Sequence, residues 1–422
     1  MSAVLAAPLW LLAGCSSSAP VDPNLPPWSK VQIESLRKWA SSAAEDALPQ
    51  FGTGQLDRAL DSGDETAIRQ AALALAEQLA KAHLRGCAGP EERTEWFMKD
   101  DGDSANLRGK LTDALLSGQT LDGFFEAMRP AHPTYAALRE AYLAETDPAR
   151  RLTLARNMER WRWMPQSLGQ DYVLVNVPAY EVYLSRQGAE TQTWRAVVGK
   201  PATPTPQLAS TITGVTLNPW WDLPPSIVQA GGGFSARRGY VTVRGGHIRQ
   251  KPGPGNALGQ MKVEMANPYA IYLHDTPSKG LFGAATRAFS HGCIRVGDPL
   301  SLAARLLEGV RTRRDIDVFL RTKDSDEARG RISKPPLTEP IEPPTVKTST
   351  IKLRADMPVY IAYFTAAPRP DGSLGFLPDI YGRDSLIIDP SKPGKACSFG
   401  AAAQPADLRK PGAIGNQGDP GP

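Results

Sequence analysis

Residues 172–199 read YVLVNVPAYEVYLSRQGAETQTWRAVVG, and they are the clearest sequence indication of the fold class. Three short runs rich in β-branched and aromatic residues follow one another, and Gly188 suits a hairpin turn between the second run and the third. Similar runs lie at 212–217, 240–244, 261–265, 270–273, 349–366 and 373–387. Many short strands separated by turns at this spacing predict a sandwich-like, mostly β domain.

The chain before this stretch has a helical pattern. Residues 65–85 place apolar side chains three and four positions apart, and 107–117, 120–128 and 133–144 behave in the same way. Another helix is predicted at 298–308, with Asp298 as its cap and Pro299 at its first position. The chain therefore belongs to the α+β class, with a helical scaffold domain followed by a mostly β domain.

The composition excludes several classes of protein. The chain has 422 residues, 41% of them hydrophobic and 22% charged, which is ordinary for a soluble globular protein of two or three domains. A net charge of +4 is too small to indicate nucleic-acid binding. After the first 15 residues, no apolar stretch approaches the roughly 20 residues that span a bilayer.

The N-terminus reads as a targeting segment. Residues 2–13 are apolar, and Leu12-Ala-Gly-Cys15 followed by serines resembles the lipobox of bacterial lipoprotein signals. This resemblance implies lipid on Cys15 and a periplasmic protein anchored to the outer membrane, the sorting that Ser16 favours. The first basic residue is Lys30, and a misplaced start codon would explain the missing charged region. A plain signal peptide and a helix with an incidental cysteine are the alternatives.

Residues 267–297 contain the densest set of reactive side chains. Cys293 follows Gly292, which would let a substrate approach the backbone, and His274, His291 and Arg295 are nearby in sequence. A thiolate nucleophile needs a lowered pKa, which an imidazolium or a guanidinium would supply. A buried, inert cysteine is one alternative. A zinc site is another, although no second cysteine is near and no C-x-x-C is present.

The motif at 290–296, SHGCIRV, resembles the S-H-G-C-x-R signature of L,D-transpeptidases with a YkuD-type catalytic domain. The block YLHDTP at 272–277 resembles the upstream block of that family. Further blocks resemble the large murein L,D-transpeptidases of Gram-negative bacteria, and they lie at 160–165, 173–178, 198–201, 203–206, 218–221, 223–227, 249–259 and 379–382.

The resemblance implies a role for each matching residue. Cys293 is the nucleophile, His274 donates and accepts the proton, and His291 orients the thiol. The backbone amides of Gly292 and Cys293 form the oxyanion hole, and Asp275 orients His274. The substrate-binding residues are Arg295, Trp220, Trp221 and Tyr272, although tryptophans at strand ends are more often core and Arg295 could be structural. No metal or cofactor is required.

The implied activity consists of two acyl transfers on peptidoglycan stem peptides. A tetrapeptide donor acylates the cysteine as a thioester, and a second stem then forms a 3→3 cross-link between diaminopimelates. The acceptor could instead be a lipoprotein lysine, a free D-amino acid or water, and an inactive wall-binding scaffold is the alternative from another class. The family also implies inhibition by carbapenems.

The division of the chain follows from these patterns. With Cys15 assigned to lipidation and Cys293 to catalysis, Cys87 and Cys397 have no assigned role, and they could pair in an oxidising periplasm. Many large members carry a peptidoglycan-binding module between the helical part and the catalytic domain, and we expect none at that place in this chain. We also expect a short cap over the active site between Ile227 and Arg249. We expect a signal segment at 1–15, a tether at 16–34, the helical domain at 35–155, the catalytic domain at 156–322, a Pro-rich loop at 323–347, completing strands at 348–388 and a disordered tail at 389–422.

Overall fold

The computed structural model describes residues 27–98, 106–229, 231, 233–321, 346–369, 373–392 and 397. The predicted signal segment with Cys15 lies outside the described residues. So do most of the predicted tether, nearly all of the Pro-rich loop and most of the tail.

Helices occupy the first part of the described chain, as the apolar spacing predicts. Ser29 begins the first helix with a capping box to Gln32, and Asp64 caps the longest helix through the Thr66 and Ala67 amides. A core rich in Leu and Ala packs between them. The helices are α1 (Lys30–Ser42), α2 (Gly54–Ser62), α3 (Glu65–Arg85), α4 (Leu107–Leu116), α5 (Leu121–Met128), α6 (Pro133–Ala144) and α7 (Pro148–Trp163). The boundary predicted between 155 and 156 falls inside α7, so it does not coincide with the end of an element.

Strands and three further helices make up the rest of the described chain. Asp298 caps α9 by accepting a hydrogen bond from the Ser301 amide, as predicted. The elements are β1 (Tyr172–Asn176), β2 (Glu181–Arg186), β3 (Ala189–Gly199), β4 (Leu208–Leu217), β5 (Trp221–Asp222), α8 (Pro225–Gln229), β6 (Tyr240–Thr242), β7 (Ile248–Gln250), β8 (Met261–Met265), β9 (Leu273–His274), β10 (Ala288–Ser290), β11 (Ile294–Val296), α9 (Pro299–Leu306), α10 (Arg313–Arg321), β12 (Ser349–Ala362), β13 (Ala366–Pro368) and β14 (Leu374–Phe376).

Nine strands form one mixed sheet in the order β10-β3-β11-β9-β8-β4-β12-β1-β2. An additional pairing of β2 with β3 closes the sheet around a core of Val, Ile and Leu side chains, against which α9 packs. A small sheet, β5-β7-β6, lies outside this ring, and β13 and β14 form a hairpin. The predicted α+β class, with helices followed by a mostly β domain, is confirmed.

Some strands differ from the sequence prediction. The run at 270–273 is a strand only at its end, because β9 is Leu273–His274, and of 373–387 only Leu374–Phe376 is strand. Conversely, β10 and β11 form in a stretch where the sequence predicted none. Each has three residues, and it is defined by pairing with strands distant in sequence rather than by local propensity.

Cys87 and Cys397 form a disulfide, with 5.1 Å between their Cα atoms and a sequence separation of 310. The pair is buried in the core of the helical part. The bond therefore ties the C-terminal segment to the helices, which is the pairing that the sequence left open.

Loss of this disulfide is expected to destabilise the protein. A cross-link over so long a loop restricts the unfolded chain, and its removal should lower the free energy of unfolding by about 2–4 kcal/mol. A Cys87→Ala/Cys397→Ala variant should melt at a lower temperature and show no response to reductant in a thermal scan, whereas the wild type responds. A wild-type melting temperature that reductant leaves unchanged would contradict this expectation.

Candidate active site

The pairing of β9 with β11 assembles the predicted site. The two strands are parallel, with Ile294 beside Leu273 and Arg295 beside His274. Successive side chains of a strand alternate between faces, so Arg295 and His274 lie on one face and the buried Ile294 and Leu273 on the other. Cys293 and Tyr272 immediately precede the two strands, two residues before Arg295 and His274, and they continue the same polar face.

Strand β8 adds a residue that the sequence reading missed. Lys262 is the antiparallel partner of His274, and its ammonium lies 5.2 Å from the centre of the Tyr272 ring. The same ammonium pairs with Glu264 at 3.2 Å. Apolar residues alternate with Lys262 and Glu264 along β8. This alternation in the sequence indicates that both charged side chains face away from the core.

Cys293 is partly exposed and is the one free cysteine among the residues that the structure describes. Its sulfur lies 3.6 Å from the Ala270 carbonyl oxygen, to which the thiol donates. The preceding Gly292 has a φ of 112°, a value that side-chain-bearing residues rarely adopt. A Cβ at this position would also lie 3.1 Å from the Ile271 Cδ1, so glycine is required to shape the loop.

His274 is 5% exposed, and its Nδ1 hydrogen-bonds to the Asp275 main-chain oxygen. A carbonyl oxygen only accepts, so Nδ1 carries the hydrogen and Nε2 keeps its lone pair. Burial lowers the pKa of His274 to about 3, helped by the positive charges of Arg295 and Lys262. The imidazole is therefore neutral, with Nε2 free to accept a proton.

The Asp275 carboxylate does not orient His274, contrary to the expectation from sequence. It pairs with Lys279 and accepts hydrogen bonds from the amides of Gln260 at 2.8 Å and Thr276 at 2.6 Å. Gly259 packs so closely that a Cβ there would lie 2.3 Å from this carboxylate. Asp275 thus acts on His274 through its main chain, while its side chain secures the turn.

The thiol pKa also differs from expectation. Burial raises the pKa of Cys293, and this effect outweighs the hydrogen bonds from the Tyr272 amide and hydroxyl and the charges of Arg295 and Lys262. The sequence suggested a thiolate stabilised by an imidazolium or a guanidinium. Because His274 is neutral, the resting pair is instead a neutral thiol and a neutral imidazole.

A neutral pair predicts how thiol reactivity depends on pH. A raised thiol pKa means that the thiolate fraction grows with pH and levels off only above about pH 8.5, the ordinary thiol value. The rate of Cys293 alkylation by iodoacetamide should therefore still be rising at that pH. Rates are measured by intact mass, with Cys293→Ala as the blank. A plateau near neutral pH would indicate an ion pair and contradict this assignment.

Arg295 and Tyr272 flank the thiol. Arg295 is half-buried, its Nε has no hydrogen-bond partner, and burial lowers its pKa. The rings of Tyr272 and His274 meet edge to face with centroids 5.6 Å apart. Burial, the thiol and a hydrogen bond from Trp221 act on the Tyr272 hydroxyl, whose pKa is raised.

Of the remaining predicted site residues, one contacts the site and two do not contact the thiol. Trp221 contacts Tyr272, whereas Trp220 stacks 4.9 Å under the Arg249 guanidinium on the small sheet. His291 is exposed, and partial burial and the nearby Lys200 and Arg295 lower its pKa. Within the described part of the chain, no hydrogen bond joins its ring to the thiol, so the structure gives no contact for an orienting role.

One of the two predicted oxyanion donors is already used. The Gly292 N–H donates to the Ser290 hydroxyl at 3.1 Å, and that hydroxyl donates to the Cys293 carbonyl oxygen at 2.6 Å. The Cys293 N–H remains a candidate donor, together with the Tyr272 hydroxyl at the thiol.

A cleft of about 320 Å³ adjoins the thiol, lined among others by Lys262, Glu264, Ala270 and Tyr272. A second cavity of about 410 Å³ lies between the helices and the sheet, around His132, Trp161 and Tyr172. None of the predicted site residues lines this second cavity, whereas Tyr272 lines the first, and Ala270 in the wall of the first accepts a hydrogen bond from the Cys293 thiol. The described residues contain no group of three or more His, Cys, Asp or Glu side chains placed to hold a metal, and none of their helices could cross a membrane.

Comparisons with known proteins agree with this geometry. The profile of the YkuD family, the L,D-transpeptidase catalytic domain, matches residues 170–316. A Haemophilus influenzae protein whose name assigns it provisionally to the L,D-transpeptidases is 30% identical over 263 residues, which is 56% of this chain and 48% of that protein. The chain thus spans about half the length of this curated relative.

Solved structures with similarity are also L,D-transpeptidases. One from Mycobacterium smegmatis has 21% identity and a TM-score of 0.23, over 34% of this chain and 55% of that one. L,D-transpeptidase 3 from Mycobacterium tuberculosis, with a faropenem-derived adduct, has 16% identity and a TM-score of 0.20, over 35% and 54%. The profile match and the curated relative therefore show that residues 170–316 of this chain are similar to the L,D-transpeptidase (YkuD) catalytic domain.

Proposed function

We propose that this protein is a cysteine-dependent L,D-transpeptidase that forms 3→3 cross-links between diaminopimelates in peptidoglycan. The observation that supports it best is the polar face of β9 and β11. There the Cys293 thiol lies immediately before β11, and His274, whose neutral imidazole has a free Nε2, lies on the adjacent parallel strand β9. This is the pairing of nucleophile and base that acyl transfer to a thiol requires.

The first half of the reaction acylates the enzyme. Cys293 transfers its proton to Nε2 of His274 as the sulfur attacks the carbonyl of the L-centre of diaminopimelate in a tetrapeptide stem. The Cys293 N–H and the Tyr272 hydroxyl stabilise the oxyanion. The bond to D-Ala then breaks, and its nitrogen takes the proton from His274. A thioester and free D-Ala result.

The second half returns the enzyme to its starting state. The side-chain amine of a second stem attacks the thioester, and His274 accepts a proton from that amine. The Cys293 sulfur leaves as a thiolate and recovers this proton. Arg295, with an unpartnered Nε beside the thiol, binds a carboxylate of the stem peptide.

Product analysis tests the proposal. Purified protein is incubated with disaccharide tetrapeptide, and the products are separated and identified by mass spectrometry. We expect release of D-Ala and a dimer with a 3→3 bond. The absence of both D-Ala release and a dimer would contradict the proposal.

The same experiment separates the other acceptors. Added free D-amino acid would appear at the fourth position of the stem, and a peptide that ends in the lysine of an outer-membrane lipoprotein would appear bound to the stem. Tripeptide alone would identify a hydrolase. The small β5-β7-β6 sheet, which bears Trp221 beside Tyr272, is the part of the structure best placed to influence this choice.

Carbapenem acylation is expected at the same thiol. A thiol attacks the strained lactam carbonyl in the same way as it attacks the carbonyl of the donor stem. The sequence has no serine site that combines S-x-x-K with K-T-G. Wild-type protein should gain one carbapenem mass on the peptide containing Cys293, and Cys293→Ser should gain none on that peptide at the same exposure. An adduct on a serine elsewhere, unchanged in Cys293→Ser, would reject the assignment.

We further propose that the protein acts in the periplasm, held at the outer membrane by lipid on Cys15. The support is the sequence Leu12-Ala-Gly-Cys15 followed by serines. Mass analysis of the mature N-terminus tests this: acyl chains on Cys15 are expected, and a mature protein without them would contradict the anchor.

A further inference from the structure

The loop that carries the thiol is held from behind by a turn at residues 199–205. The Lys200 amide donates to the Ser290 carbonyl oxygen at 2.9 Å, and the Thr203 hydroxyl donates to the same oxygen at 3.2 Å. The Thr205 hydroxyl donates to the Gly292 carbonyl oxygen at 2.8 Å. The turn thus fixes the two carbonyl groups that flank His291.

Thr205 is fully buried, and both capacities of its hydroxyl are used. Besides donating to Gly292, it accepts the Gly199 N–H at 2.9 Å. Gly199 is packed so tightly that a Cβ there would lie 2.3 Å from the Thr203 carbonyl oxygen. The end of β3, the turn and the nucleophile loop therefore meet at this one hydroxyl.

Tyr381 reaches the same point from the C-terminal segment. Its hydroxyl donates to the Gly199 carbonyl oxygen at 2.6 Å and accepts the Thr205 N–H at 3.2 Å. Its ring stacks on Tyr363 with centroids 5.5 Å apart, and the Tyr363 hydroxyl donates to Asp379 and accepts the Tyr381 N–H. Tyr381 is thus rigidly placed.

Arg383 links this cluster to the helical part of the chain. It is 5% exposed, and its guanidinium carbon lies 4.9 Å from the centres of the Tyr363 and Tyr381 rings. It donates to the Thr205 carbonyl oxygen at 3.4 Å and pairs with Glu95. Arg383 therefore connects Thr205 to Glu95, which follows the first three helices.

The orientation of the Gly292–Cys293 peptide plane determines where the Cys293 N–H points. In a trans peptide the carbonyl oxygen and the following N–H point in opposite directions. The Thr205 hydroxyl holds the Gly292 oxygen, so it also fixes the direction of the Cys293 N–H, the candidate oxyanion donor beside the nucleophile. A small rotation of this plane would misdirect that donor.

We propose that Thr205 and Tyr381 are positioning residues, which orient the Gly292–Cys293 peptide for acyl transfer to the Cys293 sulfur. The inference rests on the proposed function, in which Cys293 is acylated. It assigns a role to the block at 379–382 and to the turn at 203–206, neither of which touches the reacting atoms.

The experiment compares acylation of Cys293 with its alkylation. p-Nitrophenyl acetate and a carbapenem acylate the thiol and need an oriented oxyanion donor, whereas iodoacetamide needs only an accessible thiolate. The variants are Thr205→Val and Tyr381→Phe, which remove the hydroxyls, and Thr205→Ser, which keeps one. Tyr360→Phe is the matched control, because the Tyr360 hydroxyl is buried on β12 and bonds the Leu168 carbonyl oxygen at 3.4 Å.

We expect Thr205→Val and Tyr381→Phe to lower the acylation rate constants by about tenfold or more, because misplacement at this scale affects the transition state. Their alkylation rates should stay within about threefold of wild type, as should both rates of Thr205→Ser and Tyr360→Phe. Thermal melting of each variant is measured alongside.

Three results would overturn the inference: acylation of Thr205→Val within about twofold of wild type, an equal fall in alkylation, or an equal loss in Tyr360→Phe. A wild-type protein that reacts with the ester but not with the carbapenem would count against the proposed function alone, since the comparison of ester with iodoacetamide still tests the positioning role. A wild type that the ester does not acylate would reject both.

Discussion

Replacing Cys293 with alanine is expected to lower turnover of a tetrapeptide donor by at least about 10³-fold, because the nucleophile and its base act as a unit. The thiol donates a weak hydrogen bond to the Ala270 carbonyl oxygen, and it is partly exposed. Its loss should therefore leave the melting temperature close to that of the wild type. D-Ala release and dimer formation are measured by mass spectrometry.

Cys293→Ser serves as the control for shape. It replaces the thiol with a hydroxyl on a side chain of the same shape, but an unactivated hydroxyl is a far weaker nucleophile than a thiolate. It should be folded and nearly inactive. A Cys293→Ala protein that still forms 3→3 dimers would remove Cys293 from the mechanism.

Replacing His274 with alanine is expected to lower turnover by a similar factor, at least about 10³-fold. The thiol pKa is raised by burial, so little thiolate forms at neutral pH without a base. Nε2 of His274 is the free acceptor on the same face of the sheet. Turnover is measured from pH 6 to about pH 9, where rising thiolate should partly restore the variant.

Two matched variants keep this assignment testable. His291→Ala removes an exposed histidine two residues from the thiol and should have a milder effect than His274→Ala. Asp275→Asn keeps the main-chain oxygen that accepts from His274, so it should affect stability through Lys279 more than turnover. If His291→Ala were as severe as His274→Ala, the base would be wrongly assigned.

Local signals made much of the fold predictable. The start of α9 follows from Asp298 and Pro299, whose capping geometry is set within four residues. The helices with apolar positions three and four apart and the alternating strand β8 are equally local. The three-residue strands β10 and β11 were missed because their pairing with β3 and β9 depends on residues far away in sequence.

The site also combines features that the sequence predicts with features that depend on the folded chain. The motif predicts Cys293 and His274 in one site, and the pairing of β9 with β11 brings their backbones close together. The neutral charge state of the pair was not predictable, because burial is a property of the folded chain. Likewise, the Ser290 hydroxyl takes the Gly292 N–H, and Lys262 joins the site only through the pairing of β8 with β9.

The central claim is that Cys293 becomes a thioester with the donor stem. The most direct measurement is digestion and mass spectrometry of enzyme quenched with acid during turnover of a disaccharide tetrapeptide. The account predicts a disaccharide-tripeptide mass, the donor less D-Ala, on the peptide containing Cys293, removable by neutral hydroxylamine and missing from Cys293→Ala. Product formed with no acyl group on Cys293, or an acyl group that persists in Cys293→Ala, would contradict it.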